Sequence, residues 1–201
     1  MRTRLSKSQR RADILDKARN LIFDRGLSNT EMEQIRLACG ISRGGLYHHF
    51  PNKRAILAAL IDNEVSELVE VIESSTESPI VSLLEAGAAH LGGVPGILSA
   101  LETKEERLDY LSILEQAFDE RLVGPLGVRL KAAVLSHLDA DHVAELFLTI
   151  ASHINRREIL GQWSPQSAKS FAATALSMLA PMLKDTREIE AVISDMNSEI
   201  S

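Results

Sequence analysis

One cysteine, six prolines and an aromatic share of 4% among 201 residues are the scarcities that first narrow what this chain can be. With Cys39 alone, an intrachain disulfide and any metal site built from several cysteines are excluded. The shortage of aromatics, between long stretches of Ala, Leu, Ile, Glu and Ser, argues for helices and against a sheet built on Val, Tyr and Thr. Long apolar runs are missing too. The longest covers residues 55–61, far short of the roughly 18 residues that a membrane-spanning helix needs. The basic N-terminal stretch lacks the apolar centre of a secretory signal, so a cytoplasmic location with no membrane partner is expected. A nucleophile paired with a base, a phosphate loop and clustered metal ligands are likewise not found, so neither an enzyme, a cofactor nor a metal is expected.

What is present is unevenly distributed. The net charge of −6 conceals a split: residues 1–60 carry 12 Lys/Arg against 5 Asp/Glu, and the remainder carries 10 against 23. A basic segment on an acidic protein suits a polyanion partner at one end, although a solvated charged face has the same composition. Hydrophobic spacing predicts an all-α chain of roughly nine helices. Ile14, Ala18, Leu21 and Ile22 fall on one stripe of a helix over residues 7–25 that Gly26 ends. Thr30 with Glu33 reads as a capping box that starts a second helix with Met32, Ile35 and Ala38 inward. Gly40 ends it, Ser42 caps a short helix over residues 43–49, and Pro51 with Asn52 opens a long one from Lys53.

Gly44 and Gly45 stand side by side in that short helix, at a cost of about 1 kcal/mol each relative to alanine. Stability gives no reason for them, so something should approach the backbone there. Two short helices joined by a glycine turn, behind a helix that buttresses them, are the parts of a helix-turn-helix. Residues 43–49 would then enter the major groove with their N-terminal end toward base edges, while unpaired amides and nearby cations take phosphates.

At this point the residues also resemble a family. Ile14, Leu21, Phe23, Gly26, Thr30, Ile35, Gly40, Ile41, Ser42, Gly44, Leu46, Tyr47, Phe50 and Lys53 stand as they do in the DNA-binding domain of the TetR (tetracycline-repressor-like) regulators. The resemblance spans about residues 10–57. It implies a helix-turn-helix domain over residues 1–52 and an effector-binding and dimerisation domain over residues 53–201. It further implies a homodimer on a palindromic operator of double-stranded DNA and an unknown small-molecule effector, hence a repressor that the effector releases. A constitutive or architectural DNA-binding protein without an effector is the alternative. Carried over by position, Arg43 is the candidate base reader, behind the cap Ser42, with Gly44 and Gly45 allowing close approach. Tyr47, His48 and Lys53 are candidate phosphate contacts, and Thr30 caps a helix end that faces phosphate. Two residues depart from the pattern. Gly45 replaces a residue that often carries a side chain, and Arg36 stands where a small Ala usually packs; it either reaches the surface, spaces the helices or turns toward DNA.

Phe50 is expected to plug the core between the short helix and the long one, and Cys39 to be a small buried apolar residue. Residues 137–142 hold two His and two Asp; a metal site would use such letters, and so would a helix start capped by Asp139 or Asp141. Helices are expected after Pro79, from the Thr103 and Glu106 capping box to about residue 120, less regularly over 122–137, and over about 141–160, 165–183 and from 186. Helix position makes His90, Tyr110, Phe118, His137 and Trp163 candidates for an effector pocket. Because the resembled family pairs its last two long helices into a four-helix interface, Phe147, Ile150, Ile154, Ala168, Phe171, Ala172, Ala175, Met178, Leu179 and Met182 are expected at a dimer interface, with an internal core face as the alternative.

Overall fold

A computed structural model of the chain describes residues 5–75, 78, 81 and 96–198. Among these there are nine α-helices and no strand. They are α1 (Lys7–Arg25), α2 (Met32–Cys39), α3 (Arg43–His49), α4 (Lys53–Ser74), α5 (Lys104–Arg121), α6 (Val123–Leu130), α7 (Ala140–Ile159), α8 (Pro165–Leu179) and α9 (Arg187–Ser198). Short 3-10 turns cover Ile97–Ala100 and Ala180–Met182. The helix expected after Pro79, with His90 in it, lies outside the described residues.

The contacts divide the chain into two units, Met1–Glu64 with Pro95–Ile113, and Val65–Val94 with Leu114–Ser201. The divisions fall inside α4 and inside α5. In the first unit, Ile14, Leu15, Ala18 and Ile22 of α1 are buried together with Ile35, Leu46, Phe50, Ile56, Leu57 and Leu60. The second chain segment closes this core with Ile97, Leu101, Tyr110 and Leu111. It is fastened by polar links: Ser28 Oγ donates to Glu106 at 2.6 Å and Arg54 to Asp109 at 2.7 Å. Thr103 and Glu106 form the expected reciprocal cap, at 2.9 and 3.1 Å.

Helix α2 begins differently from the sequence reading. Its N-cap is Glu31, whose carboxylate closes a capping box with Gln34, rather than Thr30 with Glu33. Thr30 has turned inward instead. It is fully buried, and its hydroxyl donates to the Gly26 carbonyl at 2.9 Å, the C-terminal end of α1. The spacing suited either residue as a cap, and the orphan carbonyls of α1 decided between them.

In the second unit, Leu126 and Leu130 of α6 are buried with Val143, Ala144, Phe147 and Leu148 of α7. Asp139 caps α7, accepting from the amides of Asp141 at 2.9 Å and His142 at 3.2 Å, and these bonds hold its carboxyl below the usual range. The helix expected over 122–137 stops at Leu130; Leu135 and Lys184 then exchange backbone bonds with Met182 and Ala133. The helix expected over 165–183 stops at Leu179 and tightens into the 3-10 turn. Pro181 accounts for this, since its ring removes an amide donor and crowds the carbonyl of the preceding turn.

Candidate nucleic-acid interface

The turn between α2 and α3 is built so that α3 projects. Gly40 takes the left-handed conformation, φ 60° and ψ 40°, which only glycine adopts without strain, and reverses the chain. Arg36 braces the same turn. Its Nη1 donates to the Ile41 carbonyl at 2.8 Å, and its other nitrogens fork onto the Glu33 carboxylate at 2.9 and 2.6 Å. That hydrogen-bonded pairing lowers the pKa of Glu33 and raises that of Arg36. Of the three options open to Arg36 from sequence, it reaches the half-exposed surface and holds the turn.

At the start of α3, Ser42 Oγ accepts from the Gly45 amide at 3.1 Å. Arg43 is exposed, its guanidinium carbon 5.6 Å from the centre of the Tyr47 ring one turn on. A Cβ added to Gly44 would meet nothing within 4 Å, so the backbone there is bare to solvent. Tyr47 is 42% exposed and His48 is exposed, while Leu46 and Phe50 plug inward. Arg43, Gly44, Tyr47 and His48 therefore lie on the solvent side of a helix whose other side is anchored.

Two candidates sit elsewhere. Thr30 has no exposed surface to offer a phosphate, and its hydroxyl is committed to the end of α1. The Lys53 ammonium reaches back to the loop between α1 and α2, donating to the carbonyls of Leu27 at 2.6 Å and Ser28 at 3.4 Å. Those carbonyls already draw on the charge that was expected on DNA. Asn52 caps the start of α4 through the Ala55 amide at 2.8 Å. Cys39 is buried, and burial pushes its thiol up to about 11, the mark of an unreactive sulfur.

These residues coincide with what comparison with known proteins finds. Residues 14–60 match the family model described as bacterial regulatory proteins, tetR family. The chain is 32% identical over 137 residues to the HTH-type transcriptional repressor KstR2 of Rhodococcus jostii, covering 62% of this chain and 67% of that protein. The chain belongs to the TetR family. It is thus a DNA-binding transcriptional regulator rather than an enzyme. Solved structures agree on the fold. A TetR-family regulator from Pectobacterium atrosepticum matches with a TM-score of 0.56 at 18% identity over 92% of this chain and 99% of that one. RolR in complex with resorcinol matches with a TM-score of 0.60 at 17% identity over 93% and 94%.

Outside the head of this TetR regulator, the candidates scatter. Tyr110 belongs to the first unit and is fully buried; burial first, and then the Glu64 carboxylate, raise its pKa. In the second unit, Phe118 is buried and His137 is exposed. Trp163 rests with its ring 5.0 Å from Phe171 and 5.5 Å from His153, and lines an open groove of about 630 Å³ with Ser170 and Phe171 but with none of the other candidates. The expected dimer face divides as well. Phe147, Ala168, Ala172, Ala175 and Leu179 are buried within the chain's own core, where α8 packs on α7 and α9. Ile150, Ile154 and Met182 are half-buried, whereas Phe171 and Met178 are 38% and 74% exposed. Leu146, not foreseen, is 43% exposed, at the i−4 position to Ile150 on α7.

Proposed function

We propose that this regulator is a repressor that acts in the cytoplasm, binds a palindromic operator as a homodimer, and leaves it when a small-molecule effector binds. The observation that carries the reading is the start of α3, where exposed Arg43 stands beside the uncovered backbone of Gly44. An arginine at that end of a groove-inserted helix can take a guanine edge bidentately, and a backbone without side chains lets it come close. Tyr47 and His48 are then placed for the flanking phosphates.

The dimer is supported by the large apolar side chains that α7 and α8 leave exposed, Leu146, Phe171 and Met178, with half-buried Ile150 and Ile154 continuing the α7 row. Buried Ala168, Ala172, Ala175 and Leu179 hold that surface from within instead of forming it. The effector is supported by family membership and by resorcinol in RolR, a chain of the same fold. Release requires only that the effector prefer a conformation in which the two heads are wrongly spaced for successive turns of the groove.

Selection from a pool of random duplexes tests the reading. Two inverted half-sites should be enriched, and Arg43→Ala should relax one position in each. Enrichment without inverted symmetry contradicts the palindrome, and a small-molecule screen that never shifts melting temperature would favour a regulator without an effector.

A further inference from the structure

The head carries a second cationic concavity, away from the start of α3. Lys7, Ser8 and Arg11 from the first turns of α1, and His48 and His49 from the last turn of α3, line a groove of about 590 Å³. All four ionisable groups on its wall are bases. Arg11 is held in place: its guanidinium carbon lies 4.3 Å from the centre of the Phe50 ring, and Nη1 is 3.5 Å from the His49 carbonyl. The His48 and His49 rings meet edge to face at 5.5 Å. Asp13, the acid that follows on α1, is paired with Arg10 at 2.9 Å. The amide end of α1 is not the attraction, because Ser6 and Gln9 already cap one another there. Gathering bases around open space does nothing for the isolated head, since like charges at close range repel. Burial and the neighbouring His48, Lys7, Arg11 and Arg10 all disfavour a proton on His49.

We propose that this groove holds a backbone phosphate of the duplex, so that α1 and the end of α3 clamp the strand while the start of α3 reads it. The inference rests on the duplex-binding reading above and adds to it Lys7, Arg11 and His49. Helix α3 rises about 10 Å over its seven residues. The clamped phosphate therefore lies toward the opposite end of α3 from Arg43, flanking the bases that Arg43 meets. Lys7 and Arg11 would therefore contribute to every duplex alike, without reading sequence.

The test uses the full-length protein, the selected duplex and an unrelated duplex of equal length, each titrated across a salt series with wild type, Lys7→Gln, Arg11→Gln and His48→Gln. Neutralising Lys7 or Arg11 should lower the slope of log affinity against log salt by up to about 0.9, and weaken both duplexes by the same factor. Arg11→Gln also removes the stacking on Phe50, so exposed Lys7 gives a second reading that does not depend on that packing. Imidazole proton signals of His48 and His49 should move on adding duplex. Variants with the wild-type slope on a duplex that wild type binds would overturn the clamp alone, and so would signals that respond to inorganic phosphate but not to duplex. A wild-type protein indifferent to sequence and salt would overturn the duplex-binding reading itself, and the clamp with it.

Discussion

Ser42 and Gly45 share one small space: the serine Oγ accepts from the Gly45 amide at 3.1 Å, and a Cβ on Gly45 would stand 3.2 Å from that same oxygen. The adjacent Gly44 has no such neighbour. The two glycines that open the recognition helix are therefore small for different reasons. Gly45 protects the cap, and Gly44 leaves clearance that nothing within the chain uses. Gly44→Ala should raise resistance to urea by up to about 1 kcal/mol while weakening binding to the selected duplex. Gly45→Ala should gain less stability, because the cap must shift. Denaturation midpoints and duplex titrations on both variants check this; unaltered binding by Gly44→Ala would mean that nothing approaches that backbone.

Thr30 is a structural residue: it is buried and bonded to the end of α1. Thr30→Val keeps the shape but leaves the Gly26 carbonyl without its hydroxyl partner, so unfolding should become easier by about 1 kcal/mol. The salt slope of duplex binding should stay at the wild-type value. A reduced slope with unchanged stability would return Thr30 to the phosphate contacts.

Much of the head was legible because its signals are local. Ser42 and Asn52 can each reach a backbone amide three residues on, and Gly40 needs a conformation that few other residues tolerate. Thr30 does not cap α2, because a cap is chosen by competition, here with carbonyls at the end of α1 that adjoin it only once the chain turns. Pro181 marks the end of α8 in the sequence itself, although the apolar period continues past it. The alanine stripe of α8 shows a deeper limit. Periodicity says which face of a helix is apolar, and the packing of α9 determines that this face is covered by the same chain. Lys7 and Arg11 carry a signal, two bases at i and i+4 that continue the Ile14 and Ala18 face toward the N-terminus of α1, but their nearness to His48 and His49 depends on how α1 meets α3.

The two sides of α8 should respond in opposite ways. Met178→Glu, at an exposed apolar site, should shift the protein from dimer to monomer in sedimentation while leaving the melting of the monomer nearly unchanged. Leu179→Ala, one residue along and buried, should destabilise the fold by about 2–5 kcal/mol. A dimer that survives Met178→Glu would move the interface elsewhere.

His49 gives a pH dependence with a defined sign. Its pKa is lowered in the folded head, by burial first and then by His48, Lys7 and the arginines. The unfolded chain therefore binds the proton more readily, and stability present above about pH 6.5 is lost as pH falls through the folded value. Urea midpoints between pH 7.5 and 5 should decline, and His49→Gln should flatten that decline. An equally steep decline in the variant would assign it to another group.

The salt dependence of duplex binding separates the phosphate contacts of the head from its base reader. For the wild-type protein, log affinity for the selected duplex should fall linearly with log salt, with a slope of several units at about 0.9 per phosphate contacted, and Arg43→Ala should relax the preference at one position of each half-site while keeping most of that slope. Affinity indifferent to salt would mean that the head does not hold DNA through its phosphates, and a preference untouched by Arg43→Ala would mean that another residue reads the bases.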